Sequence, residues 1–165
     1  MNTRTTLSFR AAAIGAAILC LAPLLALAQT VADTKEEATK KDHLAIEGTW
    51  RAISLEVNGN PGGADDVKKI TTENGRDGEW TLLVDGKDVA EGTSTIDPTV
   101  TPKTIDFKTT KGNNAGQTAF GIYEMSGKTR KLCIAEQGRP RPADFSATAG
   151  SGRMLVVFER VDPTK

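Results

Sequence analysis

From Gly48 to the end of the chain, short runs rich in β-branched and aromatic residues recur between clusters of Gly, Asn, Asp and Pro. Runs of about four to eight such residues, each bounded by turn formers, suit strands and are too short and too interrupted for packed helices. They fall near residues 49–57, 79–85, 88–96, 103–109, 117–125, 129–136 and 153–161. In the first, Ile53, Leu55 and Val57 alternate with Ala52, Ser54 and Glu56; in the second, Trp80, Leu82 and Val84 share a face. That period of two is the signature of a sheet with one wet face, and it predicts an all-β domain.

The connections set local strand order. Asp85-Gly86 and Ser126-Gly127 each supply the positive φ of a tight hairpin turn, so the strands they join are antiparallel neighbours. Gly112-Asn113-Asn114-Ala115-Gly116 has a hairpin loop's composition, and the stretch from Asn58 to Gly63 reads as a loop. Ala64 to Ile70 is expected to form one or two helical turns with polar caps, the acids Asp65 and Asp66 favouring the helix N-terminus. Gly138 to Gly152 holds two prolines and three glycines and cannot be a central strand; a loop of that length is a candidate lid or binding loop, or a plain crossover to the last strand.

Ahead of the strands, Arg4 and Arg10 precede an apolar run from Ala11 to Leu27 that ends in Ala26-Leu27-Ala28. A charged start, an apolar middle and a small-x-small ending describe a secretory signal over residues 1–28, with cleavage before Gln29. Pro23 and that ending favour cleavage over a membrane anchor, and Leu19 ahead of Cys20 argues against a lipoprotein. Residues 29–43 read as a polar tether that turns helical near Leu44 and Ile46, and residues 44–165 as one domain. The expected location is secreted, periplasmic or on the cell envelope, without stable membrane insertion.

Removing 28 residues from 165 leaves 137, enough for one core. Of 21 basic and 21 acidic residues the signal holds only Arg4 and Arg10, so 19 face 21, a formal charge of −2. Nothing in that balance points to nucleic acid or an anionic membrane. Cys133 is then the lone cysteine, so an internal disulfide is excluded; within Lys-Leu-Cys-Ile-Ala it reads as a small buried hydrophobe.

Chemistry is sparse. His43 is the only histidine and lies in the polar lead-in, away from any Ser or Cys it could activate. One His and one Cys do not make a zinc site, and no calcium-loop spacing surrounds Asp65-Asp66. No metal and no cofactor is expected, and no catalytic residue is assigned. Glu56, Glu79, Glu91, Glu124 and Glu159 lie on strands, which keeps a hydrolase with paired carboxylates open. Arg139, Arg141 and Arg153 with Phe145 form the most ligand-like local set: guanidinium forks suit carboxylate or sulfate and the ring offers a stacking surface, unless the segment is solvated and Phe145 is an anchor beneath it.

Gly48-Thr49-Trp50 at the start of the first strand, with Arg160 near the end of the last, resembles the lipocalin-like, or calycin, barrels. The resemblance implies that Trp50 plugs the closed end with Arg160 across its ring, both structural. Ile46 to Trp50, Gly121-Ile122-Tyr123, Leu132 to Ala135, Gly138 to Pro142, Phe145, Gly150-Ser151-Gly152, Leu155-Val156-Val157 and Arg160 resemble a family of small extracellular domains found in planctomycete bacteria, without an assigned activity. Thr71 to Gly78 departs from an eight-strand pattern, being polar and weakly alternating.

The resulting expectation is a small antiparallel, lipocalin-like barrel of seven or eight strands with a short N-terminal helix, or alternatively a β-sandwich. For function, the leading reading is a non-enzymatic binding domain holding a small apolar or amphipathic ligand. It expects a cavity of about 300 Å³ or more with Trp80 and Tyr123 in its lining, or a site under the loop at Arg139, Arg141 and Phe145. The alternatives are a cell-envelope protein-interaction module using the outer face, and a hydrolase with two inward carboxylates.

Overall fold

The structure, a computed structural model, describes the backbone of residues 22–162 and the side chains of residues 34–162. The expected signal segment therefore lies outside the described residues up to residue 21. Helix α1 (Ala22–Ile46) leads into strand β1 (Gly48–Val57), a two-residue strand β2 (Asn60–Pro61) and a single helical turn α2 (Ala64–Val67). Seven strands follow: β3 (Ile70–Asn74), β4 (Glu79–Val84), β5 (Lys87–Asp97), β6 (Lys103–Lys111), β7 (Thr118–Ser126), β8 (Thr129–Ala135) and β9 (Arg153–Arg160).

Apart from β2, which folds back on the end of β1, each strand pairs antiparallel with the next, and β9 pairs with β1. The sheet thus closes on itself as an eight-stranded antiparallel barrel, not a sandwich, which removes the edges an open sheet would expose. Two turns enforce the order as expected. Asp85 and Gly86 have φ of 53° and 73°, and Gly127 has φ of 57°. Closure along β1 has a cost in regularity. A bulge at Ile53 shifts its register against β9, so Trp50 and Ala52 point inward, Ile53 is half exposed, and Leu55 and Val57 return to the inner side. Simple alternation across residues 52–57 misses this inversion.

Three further expectations are corrected. The polar lead-in 29–43 does not turn helical only near Leu44 and Ile46: it is helical throughout, as part of α1. Its less exposed face consists of Ala38, Thr39, Asp42, His43 and Ile46, a helical spacing with one large apolar residue. Polar contacts hold it: the Lys35 ammonium lies 2.6 Å from Asp97, and buried Asp42 accepts from Lys103 at 2.7 Å and from the Tyr123 hydroxyl at 2.6 Å through one oxygen. Second, Thr71 to Gly78 does supply the eighth strand, β3, despite its polarity. Third, the turn α2 starts at Gly63, which makes no side-chain cap, while Asp65 and Asp66 occupy its first turn as expected.

One end of the barrel is sealed. Trp50, fully buried, donates its indole N–H to the Ile46 carbonyl at 2.7 Å. The Arg160 guanidinium lies 4.3 Å from the Trp50 ring and donates to the carbonyls of Glu47, at 2.7 Å, and Ala45. These are carbonyls that the end of α1 leaves unpaired, so one cation covers the indole and finishes the helix. Burial and the adjacent Asp42 carboxylate push the Tyr123 phenol above its ordinary pKa, so it remains a hydrogen-bond donor.

Replacing Asp42 with Ala strands the Lys103 ammonium and the Tyr123 hydroxyl, and urea unfolding is expected to show a loss of about 1–3 kcal/mol. The Lys35 ammonium and then Thr99 hold the Asp97 carboxyl at a pKa of about 2, against 3.8 for the free group. A depressed carboxyl stabilises above the unfolded value and loses that contribution as pH falls from 3.8 to about 2. The urea midpoints of wild type and Asp97→Asn should therefore differ at pH 6 and converge by about pH 2.

Candidate functional site

The strand register points Trp80 and Leu82 of β4, Phe107 and Thr109 of β6, Leu132 and Ile134 of β8, and Val156 and Phe158 of β9 into the barrel. Between them is a cavity of about 200 Å³. Toward the sealed end it is bounded by Thr72, Asn74 and Arg130; at the other end stand Asn114, Ala119, Gln137 and Met154. These last residues also line a recess of about 500 Å³ with Val57, Glu136 and Arg153, so the cavity is reached from the open end. The interior is smaller than expected because large side chains fill much of it. Trp80 lies over Gly92, where a Cβ would fall 2.5 Å from the indole, and meets Phe107 edge to face at 5.8 Å.

Arg130 is the residue that alternation could have found, since it stands in phase with Leu132 and Ile134 on β8. It is only 1% exposed. Its guanidinium lies 5.0 Å from the Trp50 ring and 5.1 Å from that of Phe158, and it donates to Asn74 Oδ1 at 3.1 Å and Thr72 Oγ1 at 2.9 Å. No carboxylate pairs with it among the described residues. Burial, and then the positive charge of Arg160, draw its pKa down to about 9, which leaves it charged at neutral pH. Its Nε and the Trp80 Nε1 are buried donors without a protein acceptor.

The five proposed ligand residues do not converge on one place, although Tyr123 and Phe145 both line a recess of about 460 Å³ beside residues 98–103. Trp80 lines the cavity, but Tyr123 lies toward the sealed end with its hydroxyl committed to Asp42. Arg139, Arg141 and Phe145 belong to the segment 136–152, which straps the outer face of the barrel over β6 to β9. Arg141 donates to the carbonyls of Ile105 at 3.1 Å and Gly121 at 2.7 Å, pairs with Asp106 at 2.6 Å, and lies 5.2 Å from the Phe120 ring. Phe145 receives the Lys131 ammonium at 5.2 Å, and Arg153 reaches Asp144 at 3.2 Å. Arg139 is exposed near Gly152. Arg141 and Asp144 thus fasten the strap down. Beneath it Ala147, Ile122 and Cys133 are buried, the thiol 3.4 Å from the Ser146 carbonyl with its pKa raised by burial.

By register, Glu56, Glu79, Glu91, Glu124 and Glu159 all point outward. No pair of them meets inside the barrel, where a hydrolase of the expected kind needs its acid and base. Among the described residues no cluster of His, Cys, Asp and Glu is arranged to hold a metal ion, and no helix is long and apolar enough to cross a membrane.

Arg141→Ala removes the strap's central fastening. Cys133 should then react with a disulfide reagent at least about tenfold faster than in wild type, read at 412 nm in native buffer, because labelling follows the population of the opened strap. An unchanged rate would mean that the strap is held elsewhere.

The chain matches no family model, no curated protein and no solved structure.

Proposed function

We propose that this is an exported, non-enzymatic binding domain that holds a small amphipathic ligand inside its barrel. The apolar cavity with one buried cationic end carries the reading. At about 200 Å³ it exceeds the roughly 150 Å³ of an engineered cavity that takes up benzene, and it is below the usual drug-sized site. The ligand is correspondingly small. Each methylene moved from water into such a lining contributes about 0.8 kcal/mol, while a polar head needs a partner already in place. Leu82, Phe107, Leu132 and Val156 suit the first demand, and the donors of Arg130 and Trp80 suit the second.

Export is part of the same proposal and draws on Arg4, Arg10 and the apolar run ahead of Ala28. The Gly48-Thr49-Trp50 opening and Arg160 support a lipocalin-like relationship. An outer position for all the strand glutamates favours binding over hydrolysis.

Titration with octan-1-ol, followed through the methyl signals of Leu82, Leu132 and Val156, is expected to give saturable shifts. Leu132→Trp, which fills the cavity, should weaken binding at least about tenfold while the protein keeps its strand-type circular dichroism. Shifts confined to surface residues would overturn the reading.

A further inference from the structure

Charge and orphaned donors in the barrel specify the ligand's head. A guanidinium removed from water ordinarily has a carboxylate or phosphate beside it, because the desolvation cost of an uncompensated ion is several kcal/mol. Arg130 has only two neutral oxygens, from Asn74 and Thr72, and two aromatic rings. Those oxygens occupy its two terminal nitrogens and leave the Nε–H free. Trp80 carries the second free donor, and the two side chains are brought together through one residue. Asn74 receives the hydrogen bond from Arg130 and is the cross-strand partner of Trp80. Buried donors without acceptors are uncommon in folded proteins, and here both belong to residues that line one cavity.

We propose that this end of the cavity takes the carboxylate of a small apolar acid, with one oxygen on the Arg130 Nε–H, the other on the Trp80 indole N–H, and the hydrocarbon body along Leu82, Leu132 and Val156. The inference rests on the binding reading above and adds the class of head group. One buried positive charge matches a monoanion. A doubly charged phosphate monoester would carry a second charge into a lining of Leu, Val, Ile and Phe, with no second cation there to meet it. An alcohol could use one donor but would leave the guanidinium charge uncompensated. Arg160, the other cation of this region, is already committed to the carbonyls of α1.

The test compares octanoate with octan-1-ol on the full chain at pH 7.5, by calorimetry and by the indole N–H signal of Trp80. Octanoate is expected to bind at least about tenfold more tightly, since hydrogen bonds to charged groups contribute about 1.5–3 kcal/mol and tenfold is about 1.4. It should also move the Trp80 signal further downfield than octan-1-ol does, as a charged acceptor on the indole N–H requires. Trp80→Phe keeps the ring and deletes the donor; it should lower octanoate affinity about fivefold and leave octan-1-ol within about twofold. Arg130→Met should abolish the preference for the acid. If that variant does not fold, the comparison of the two ligands on wild type still decides. Equal affinity for both ligands would overturn the carboxylate assignment while leaving the binding reading intact. If neither ligand binds, both fall.

Discussion

Trp50 is the point at which the fold is tied together, and it is held by two cations. The same indole meets Arg160 from the last strand and Arg130 from the strand before it, while its own N–H reaches the final turn of α1. Contacts of this kind contribute about 0.5–2 kcal/mol each, more as water is excluded. Their larger effect is topological. β1 and β9 are the two chain-distant strands whose pairing closes the barrel, and Trp50 sits opposite Arg160 in that ladder. Closure, helix docking and the sealing of one barrel end therefore depend on the same few side chains.

The two ends of the barrel are consequently different solvents. At the sealed end, α1 brings Asp42 onto Lys103 and Tyr123, and the polar groups there are paired with one another. At the other end, half-exposed Val57, Val84 and Val89 stand near the rim. The strap leaves this rim from β8, runs along the outer face and returns to β9. Its fastening by Arg141 and Arg153 covers a second, outer set of apolar residues around Ile122 and Cys133. The interior cavity shares Asn114, Ala119, Gln137 and Met154 with the recess at this rim, and none of its lining comes from the strap's Arg139, Arg141 or Phe145.

Much of this was legible in the residues, and the failures share a cause. Strands β4, β6, β8 and β9 were readable because inner positions carry Leu, Ile, Phe, Val or Trp at a period of two. Strands β5 and β7, with Ala90, Gly92 and Ser94 or Ala119 and Gly121 inside, were placed as neighbours by the Asp85-Gly86 and Gly127 turns. β3 escaped because its inner side is Ile70, Thr72 and Asn74, two of which are polar. Those two are polar because they serve Arg130. α1 escaped for the same reason, since its buried face centres on Asp42. Hydrophobic periodicity reports elements that bury oil, and it passes over elements recruited to satisfy a buried charge or hydroxyl. The ligand set suggested at Arg139, Arg141 and Phe145 is a different matter. Guanidinium groups next to prolines look free in one dimension, whereas the fold spends Arg141 on backbone carbonyls and Asp106.

Arg130 then poses a question of energy. Its rings and neutral acceptors offset part of the cost of dehydrating a guanidinium, while burial, and then the charge of Arg160, disfavour the ion. A Met or Leu in its place would fill the space without any such cost, and substitutions of this kind in other proteins are often neutral or stabilising. Thr72 and Asn74 are there to hold the charge, so β3 pays in hydrophobicity for the arginine on β8. In this barrel the cation is held by two rings and two neutral oxygens and, among the described residues, not by an opposite charge. The proposed carboxylate would compensate the cation's charge, and its hydrocarbon part would add the burial that Thr72 and Asn74 do not supply.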